Sequence, residues 1–150
     1  MQAERPITSA ITIGDQPTED DLGRLKAAGF TGVVNLRNPG EPEQPMSPAV
    51  EGEKAGALGL DYLHYGVGAA PLTPQGVAAV CDFVDRHTQA GQRVLVHCRK
   101  GPRAVALVLL QQARANNWKP EEVIAKGRAM GLEVDGGLRM MVETYIRQQA

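Results

Sequence analysis

The chain has only two cysteines in 150 residues, Cys81 and Cys98. That is far below the density of a disulfide scaffold and too few for a structural zinc site, so no cofactor or metal is expected and a reducing cytoplasm is the default compartment. A charge excess is also missing: 16 Lys and Arg against 17 Asp and Glu leave a net charge of -1, with a pI near 6.3. Proteins that grip nucleic acid or an anionic membrane surface usually carry a strong basic excess, so neither partner is expected. No window approaches the roughly 18 apolar residues of a membrane span, and residues 1–10 hold no apolar core of signal-peptide type. Repeats, linkers and low-complexity tracts are absent too. With 43% hydrophobic residues, the chain is long enough for one core and too short for two ordinary domains, which predicts a single domain over residues 1–150 with its core over about 8–148.

What is present alternates between strand and helix patterns. Ser9 to Ile13 reads as a first strand, ended by Gly14-Asp15-Gln16-Pro17. Thr18-Glu19-Asp20-Asp21 supplies a cap and an acidic first turn, Leu22 and Leu25 an apolar stripe, and Gly29 a stop. Gly32 to Leu36 is the next strand, and Arg37 to Pro45, rich in proline and charge, is a loop. Ser47-Pro48 opens a short helix to about Leu58, and Leu60 to Val67 reads as a strand covered on both faces, with Gly66 to Pro71 as the loop beyond it. Thr73-Pro74 caps a helix to about Gln89, in which Val77, Val80, Cys81 and Val84 recur at the spacing of a buried face. Cys81 is therefore expected to be an inert core residue, with a disulfide to Cys98 under oxidation as the other possibility. Val94 to Val96 is a short buried strand, Ala104 to Ala113 a helix, and two further helices fall near Pro120 to Met130 and Gly137 to Gln148. This alternation predicts an α/β fold, a central, mainly parallel sheet of four to five strands flanked by helices. Sites in such folds form at the carboxyl ends of strands, where Arg37, the loop after Val67 and Cys98 are placed.

The segment from Val94 to Ala104 carries the chemistry. An apolar strand ends in His97-Cys98, a turn Arg99-Lys100-Gly101-Pro102 follows, and Arg103 enters a helix. A free cysteine titrates near 8.5 and the thiolate is the nucleophile, so an active thiol needs help. A helix N-terminus, turn amides and the cations Arg99, Lys100 and Arg103 would supply it, and the same features bind a phosphate dianion. Arg103 has a planar fork able to pair two phosphate oxygens, and Gly101 permits a positive φ or a close ligand approach. His97 could hold the loop through the local backbone, act as a general base, or simply be a buried strand histidine. The plain alternative for the whole segment is a buried cysteine beside a basic surface turn.

His97-Cys98-x-x-Gly101-x-Arg103 resembles the signature of cysteine-dependent protein tyrosine and dual-specificity phosphatases. It is closer still to the bacterial beta-lactamase hydrolase-like, phosphatase-like domains, which use a short loop with four residues between Cys and Arg. The resemblance extends to Gly29 to Arg37, to Leu60 to Val67 and to Pro71-Leu72-Thr73. It implies a protein-tyrosine-phosphatase-like fold, a phosphocysteine at Cys98, phosphate binding by Arg99, Lys100, Gly101, Pro102 and Arg103, and no metal. The expected partner is a phosphorylated protein or a small phosphomonoester. Four departures stand out: four rather than five residues in the loop, Pro102 without an N–H, Ala104 where many phosphatases have Ser or Thr, and no carboxylate within Gly66 to Pro71 to serve as general acid. Asp61, Glu41, Glu43, Glu133 and Asp135 are the substitutes to inspect, and Arg37 is either site-lining or a structural ion pair.

Two other functions fit the same residues. Rhodanese-like sulfurtransferases also use Cys-Arg-x-Gly-x-Arg loops and carry a persulfide, although no Gly-His-Ile-type segment follows the Arg37 region. A catalytically weak phosphate-binding or interaction module is favoured by Ala104 and by the missing acid.

Overall fold

Three strands rich in valine and isoleucine build the centre of the sheet. A computed structural model describes residues 1–132 and 137–149. The strands are β1 (Arg5–Pro6), β2 (Ile11–Gly14), β3 (Phe30–Asn35), β4 (Asp61–His64) and β5 (Arg93–His97), in the spatial order β1-β2-β5-β3-β4. All neighbours pair in parallel except β1, which runs antiparallel along β2. The fold is therefore the α/β, mainly parallel arrangement that the alternating pattern predicts. Arg5–Pro6 offers no alternation over its two residues, and it is the one strand the patterning does not reveal.

The six helices are α1 (Glu19–Ala27), α2 (Pro48–Ala57), α3 (Pro74–Gln89), α4 (Pro102–Asn116), α5 (Pro120–Ala129) and α6 (Gly137–Gln149), all among the described residues. Their starts follow from local chemistry. Thr18 and Asp21 form a reciprocal capping box on α1, and Ser47 and Thr73 cap α2 and α3, each with proline at the first helical position. No helix among the described residues is long and apolar enough to cross a membrane.

Period-two alternation sorts the strand side chains onto two faces. Leu95 and Val33 pack with Leu22 and Leu25 of α1 and Ala55 of α2. Val94, Val96, Val34, Ile11 and Ile13 pack on the other face against α3 and α4. The central strand β5 is thus buried on both sides, and its last residues leave the sheet in its middle. His97 follows the parity of Leu95 and turns toward α2, whereas Cys98 follows Val96 and joins the core against α4. Adjacent residues of one motif therefore face opposite sides of the sheet.

Candidate active site

The cysteine turn is anchored to both neighbouring strands. Cys98 N donates to Gly14 O of β2 at 3.2 Å, and Leu36 N, just beyond β3, donates to His97 O at 3.0 Å. Gly101 then takes φ +114°, a conformation that side chains with a Cβ rarely adopt, and its N–H points back to Cys98 Sγ at 3.0 Å. Helix α4 begins at Pro102, two residues earlier than the Ala104 start expected from the apolar run. Proline at that position is pre-set for a helix, and its missing N–H would have had no intrahelical acceptor. Arg103 and Ala104 consequently lie in the first turn, whose N–H groups are directed out of the helix end beside the thiol.

Cys98 is 1% exposed, and it forms the floor of a cavity of about 670 Å³. Arg99, Lys100, Pro102 and Arg103 line one side, Val67, Gly68 and Ala69 a second, and Gly137, Leu138 and Met141 of α6 a third. Lys100, Arg99 and Arg103 thus gather at one opening, as the turn's composition suggests.

Arg103 is held by more than the turn. Its Nη1 donates to Val67 O at 2.9 Å, to Leu36 O at 3.3 Å and to Glu41 Oε2 at 2.8 Å, while Nη2 donates to Glu41 Oε1 at 2.8 Å. Glu41 therefore occupies the end-on pair of the guanidinium nitrogens, leaving the Nε side of the fork for an oxyanion. The Glu41 pairing, opposed by burial and aided by the neighbouring Cys98 thiol, pushes the guanidinium further toward its charged form. In return Arg103 holds the Glu41 carboxyl at about 2, against an ordinary 4.5, with Asn38 N and Arg37 adding to the effect and burial opposing it.

That pairing removes Glu41 as a proton donor at neutral pH. Glu43 is exposed and paired with Arg99, which lowers its carboxyl as well. Asp61 lies at the start of β4, the opposite end of the sheet from Cys98, with Arg86 3.7 Å away. It is too distant to protonate a leaving group, so its candidacy is corrected. Glu133 and Asp135 lie outside the described residues. Among the described residues, no group of three His, Cys, Asp or Glu side chains could hold a metal ion.

Arg37 does not line the cavity. It is fully buried, and its guanidinium holds the following loop by donating to Glu41 Oε1, Glu43 O, Pro42 O and Gln16 Oε1. The site-lining alternative is therefore corrected in favour of the structural one: a buried guanidinium has five donors to satisfy, and loop acceptors surround it. His97 does not line the cavity either. Its Nε2 lies 2.6 Å from Glu51 Oε2, a contact that holds the ring behind the turn, and its Nδ1 faces Cys98 O at 3.4 Å. A general base must reach the cavity, and parity along β5 turns this ring away from it.

Glu51 was missed as a functional residue. A signal was available, because Glu51 stands four residues before Ala55 and seven before Leu58 on the stripe of α2 that faces the sheet. Burial and the nearby Glu51 also push the Tyr62 phenol upward, and its oxygen accepts from Asn35 Nδ2 at 2.9 Å. Cys81 sits in the α3 face as expected, and burial pushes its thiol up to about 11.

The family model for the beta-lactamase hydrolase-like protein, phosphatase-like domain, matches residues 4–115. A beta-lactamase hydrolase-like protein of Agrobacterium fabrum is 31% identical over 143 residues, covering 94% of this chain and 32% of that protein. Hence this chain spans about a third of the length of the curated relative. A DUF442 structure from Shewanella putrefaciens superposes with a TM-score of 0.73 at 23% identity, covering 98% of this chain and 92% of that one. Tk-PTP in its active form superposes with a TM-score of 0.78 at 17% identity, covering 99% of both chains. These superpositions show a shared fold, and the family match over residues 4–115 shows that the chain belongs to the beta-lactamase hydrolase-like, phosphatase-like domain family.

Proposed function

We propose that the chain is a phosphomonoester hydrolase working through a phosphocysteine at Cys98. The observation that carries this reading is the convergence of Cys98 Sγ, the Arg103 fork and the first turn of α4 on one cavity at the carboxyl end of the central strand. Cys98 Sγ attacks phosphorus in line, the S–P bond forms and the P–O bond to the leaving group breaks. Arg103, Lys100 and the N–H groups of the turn face the equatorial oxygens, whose charge they stabilise. Water then attacks phosphorus, the S–P bond breaks, and inorganic phosphate leaves with the thiolate regenerated.

With Glu41 ionised and Glu43 paired to Arg99, the described residues place no protonated carboxyl at the leaving side. Protonation of a leaving oxygen typically contributes about 10²- to 10⁴-fold. The rate therefore depends steeply on leaving-group basicity, with aryl phosphates of acidic phenols hydrolysed far faster than alkyl phosphates. A series of substituted phenyl phosphates tests this, together with Cys98→Ser. Turnover by Cys98→Ser at the wild-type rate would overturn the reading.

A second reading is favoured by the four-residue spacing between Cys98 and Arg103 and by the same lack of a proton donor. Attack of Cys98 on the outer sulfur of thiosulfate forms a cysteine persulfide and expels sulfite, which needs no protonation to leave. Production of thiocyanate from thiosulfate and cyanide, with no turnover of any aryl phosphate, would select this sulfurtransferase reading.

A further inference from the structure

Glu51 and His97 are both fully buried, and they meet on the sheet face opposite Cys98. A carboxylate withdrawn from water is tolerated only where both oxygens are satisfied. Here one oxygen faces His97 Nε2 at 2.6 Å and the other accepts from Gln16 Nε2 at 2.7 Å. Gln16 Oε1 accepts from Arg37 Nη1 at 2.8 Å, Arg37 Nε donates to Glu41 Oε1 at 3.1 Å, and Glu41 holds both terminal nitrogens of Arg103. An unbroken hydrogen-bonded chain thus runs from the residue before the nucleophile to the arginine that closes the turn.

Donor chemistry fixes the direction of the bonds made by Arg37 and Gln16. Arg37 has donors only, so Gln16 must turn its oxygen to Arg37 and its nitrogen to Glu51. Glu51 accepts from Gln16 and, as a carboxylate, from His97 as well, which requires the imidazole proton on Nε2. We propose that Glu51 is the positioning residue of the cysteine turn, setting the end of β5 through His97 and the orientation of Arg103 through Gln16, Arg37 and Glu41. The inference rests on the reading of Cys98 and Arg103 as one oxyanion site. Its physical sense is that the two ends of a short loop must keep a fixed separation around a tetrahedral anion, where a displacement of about 1 Å can cost roughly 10²-fold in rate.

Three variants separate the two arms. In Glu51→Gln, Gln16 still presents its nitrogen, so the new amide must turn its oxygen to Gln16 and its NH₂ to His97. His97 must then accept at Nε2 and carry its proton on Nδ1, toward Cys98 O. Gln16→Met cuts only the arm to Arg103, and Glu51→Ala cuts both. The readouts are the imidazole ¹⁵N signals of His97, the affinity for inorganic phosphate measured as protection of Cys98 from iodoacetamide, and kcat and KM for an aryl phosphate. The expected results are an Nε2–H wild type, an Nδ1–H Glu51→Gln variant with near-wild-type phosphate affinity, and a Gln16→Met variant that keeps Nε2–H while binding phosphate about three- to tenfold more weakly. Glu51→Ala is expected to lose at least about tenfold in phosphate affinity. Should it fail to fold, Glu51→Gln and Gln16→Met decide alone. An Nδ1–H wild type, an unchanged tautomer in Glu51→Gln, or phosphate affinity within about twofold of wild type in folded Gln16→Met would overturn the proposal. Phosphate binding with the predicted variant pattern but no aryl phosphate turnover would instead reject the hydrolase reading and leave the positioning role standing.

Discussion

Replacing Glu41 with glutamine keeps the shape of the residue that holds Arg103 and removes its charge. The carboxyl titrates at about 2 in the fold against an ordinary 4.5, and each tenfold change in proton affinity corresponds to about 1.4 kcal/mol. The full difference would amount to about 3 kcal/mol, but the side chain is still 19% exposed, and solvent screening reduces the expected loss to about 1–2 kcal/mol. For a chain of this length that is a fall in Tm of about 2–8 °C. The pH dependence has a definite sign. Because the folded carboxyl titrates below its unfolded value, the stabilisation is complete above about pH 4.5 and is lost as pH falls through about 2. Urea unfolding of wild type and Glu41→Gln should therefore show a gap at pH 7 that shrinks to less than half by about pH 3. Equal stabilities at pH 7, or a gap that stays constant into acid, would refute the ion pair as the support of Arg103.

Arg103→Lys keeps a positive charge but loses the planar fork, and kcat for an aryl phosphate should fall about 10²- to 10³-fold while the fold persists, as judged by circular dichroism. Gly101→Ala places a Cβ at φ +114°. No neighbour lies within 4 Å of it, so the loss of about 1–3 kcal/mol in unfolding free energy should come from backbone strain alone. The buried Cys81 thiol, raised to about 11, should resist iodoacetamide in the folded protein at pH 8, and peptide mapping that finds it modified as readily as in urea would contradict its place in the core.

Much of the fold was legible because its signals are local. Thr18, Ser47 and Thr73 stand directly before helices, Gly29, Gly59 and Gly91 directly after them, and the apolar run of β5 needs no partner to be recognised. The mainly parallel pairing, a matter of crossover connections, followed from the alternation of types, whereas the spatial order of the strands is visible only in the structure. The candidate site was legible only along the chain. Cys98, Arg99, Lys100, Gly101, Pro102 and Arg103 are contiguous, and the structure gathers them around one turn. Glu41 reaches Arg103 across 62 residues and Glu51 reaches His97 across 46, distances over which a sequence carries no periodic signal. Arg37 was ambiguous for the same reason, since its acceptors are backbone carbonyls and side chains assembled by the loop itself. Pro102 was read as a lost donor, although proline at a first helical position also marks where α4 begins.

In the proposed reaction Cys98 carries the transferred group. Rapid acid quenching of the protein during turnover of an aryl phosphate, followed by peptide mass spectrometry, tests it most directly. A phosphoryl group on the Cys98 peptide, absent from Cys98→Ser, is the predicted result. Steady hydrolysis with an unmodified Cys98, or a Cys98 that gains sulfur from thiosulfate and never phosphoryl from any phosphate ester, would contradict it.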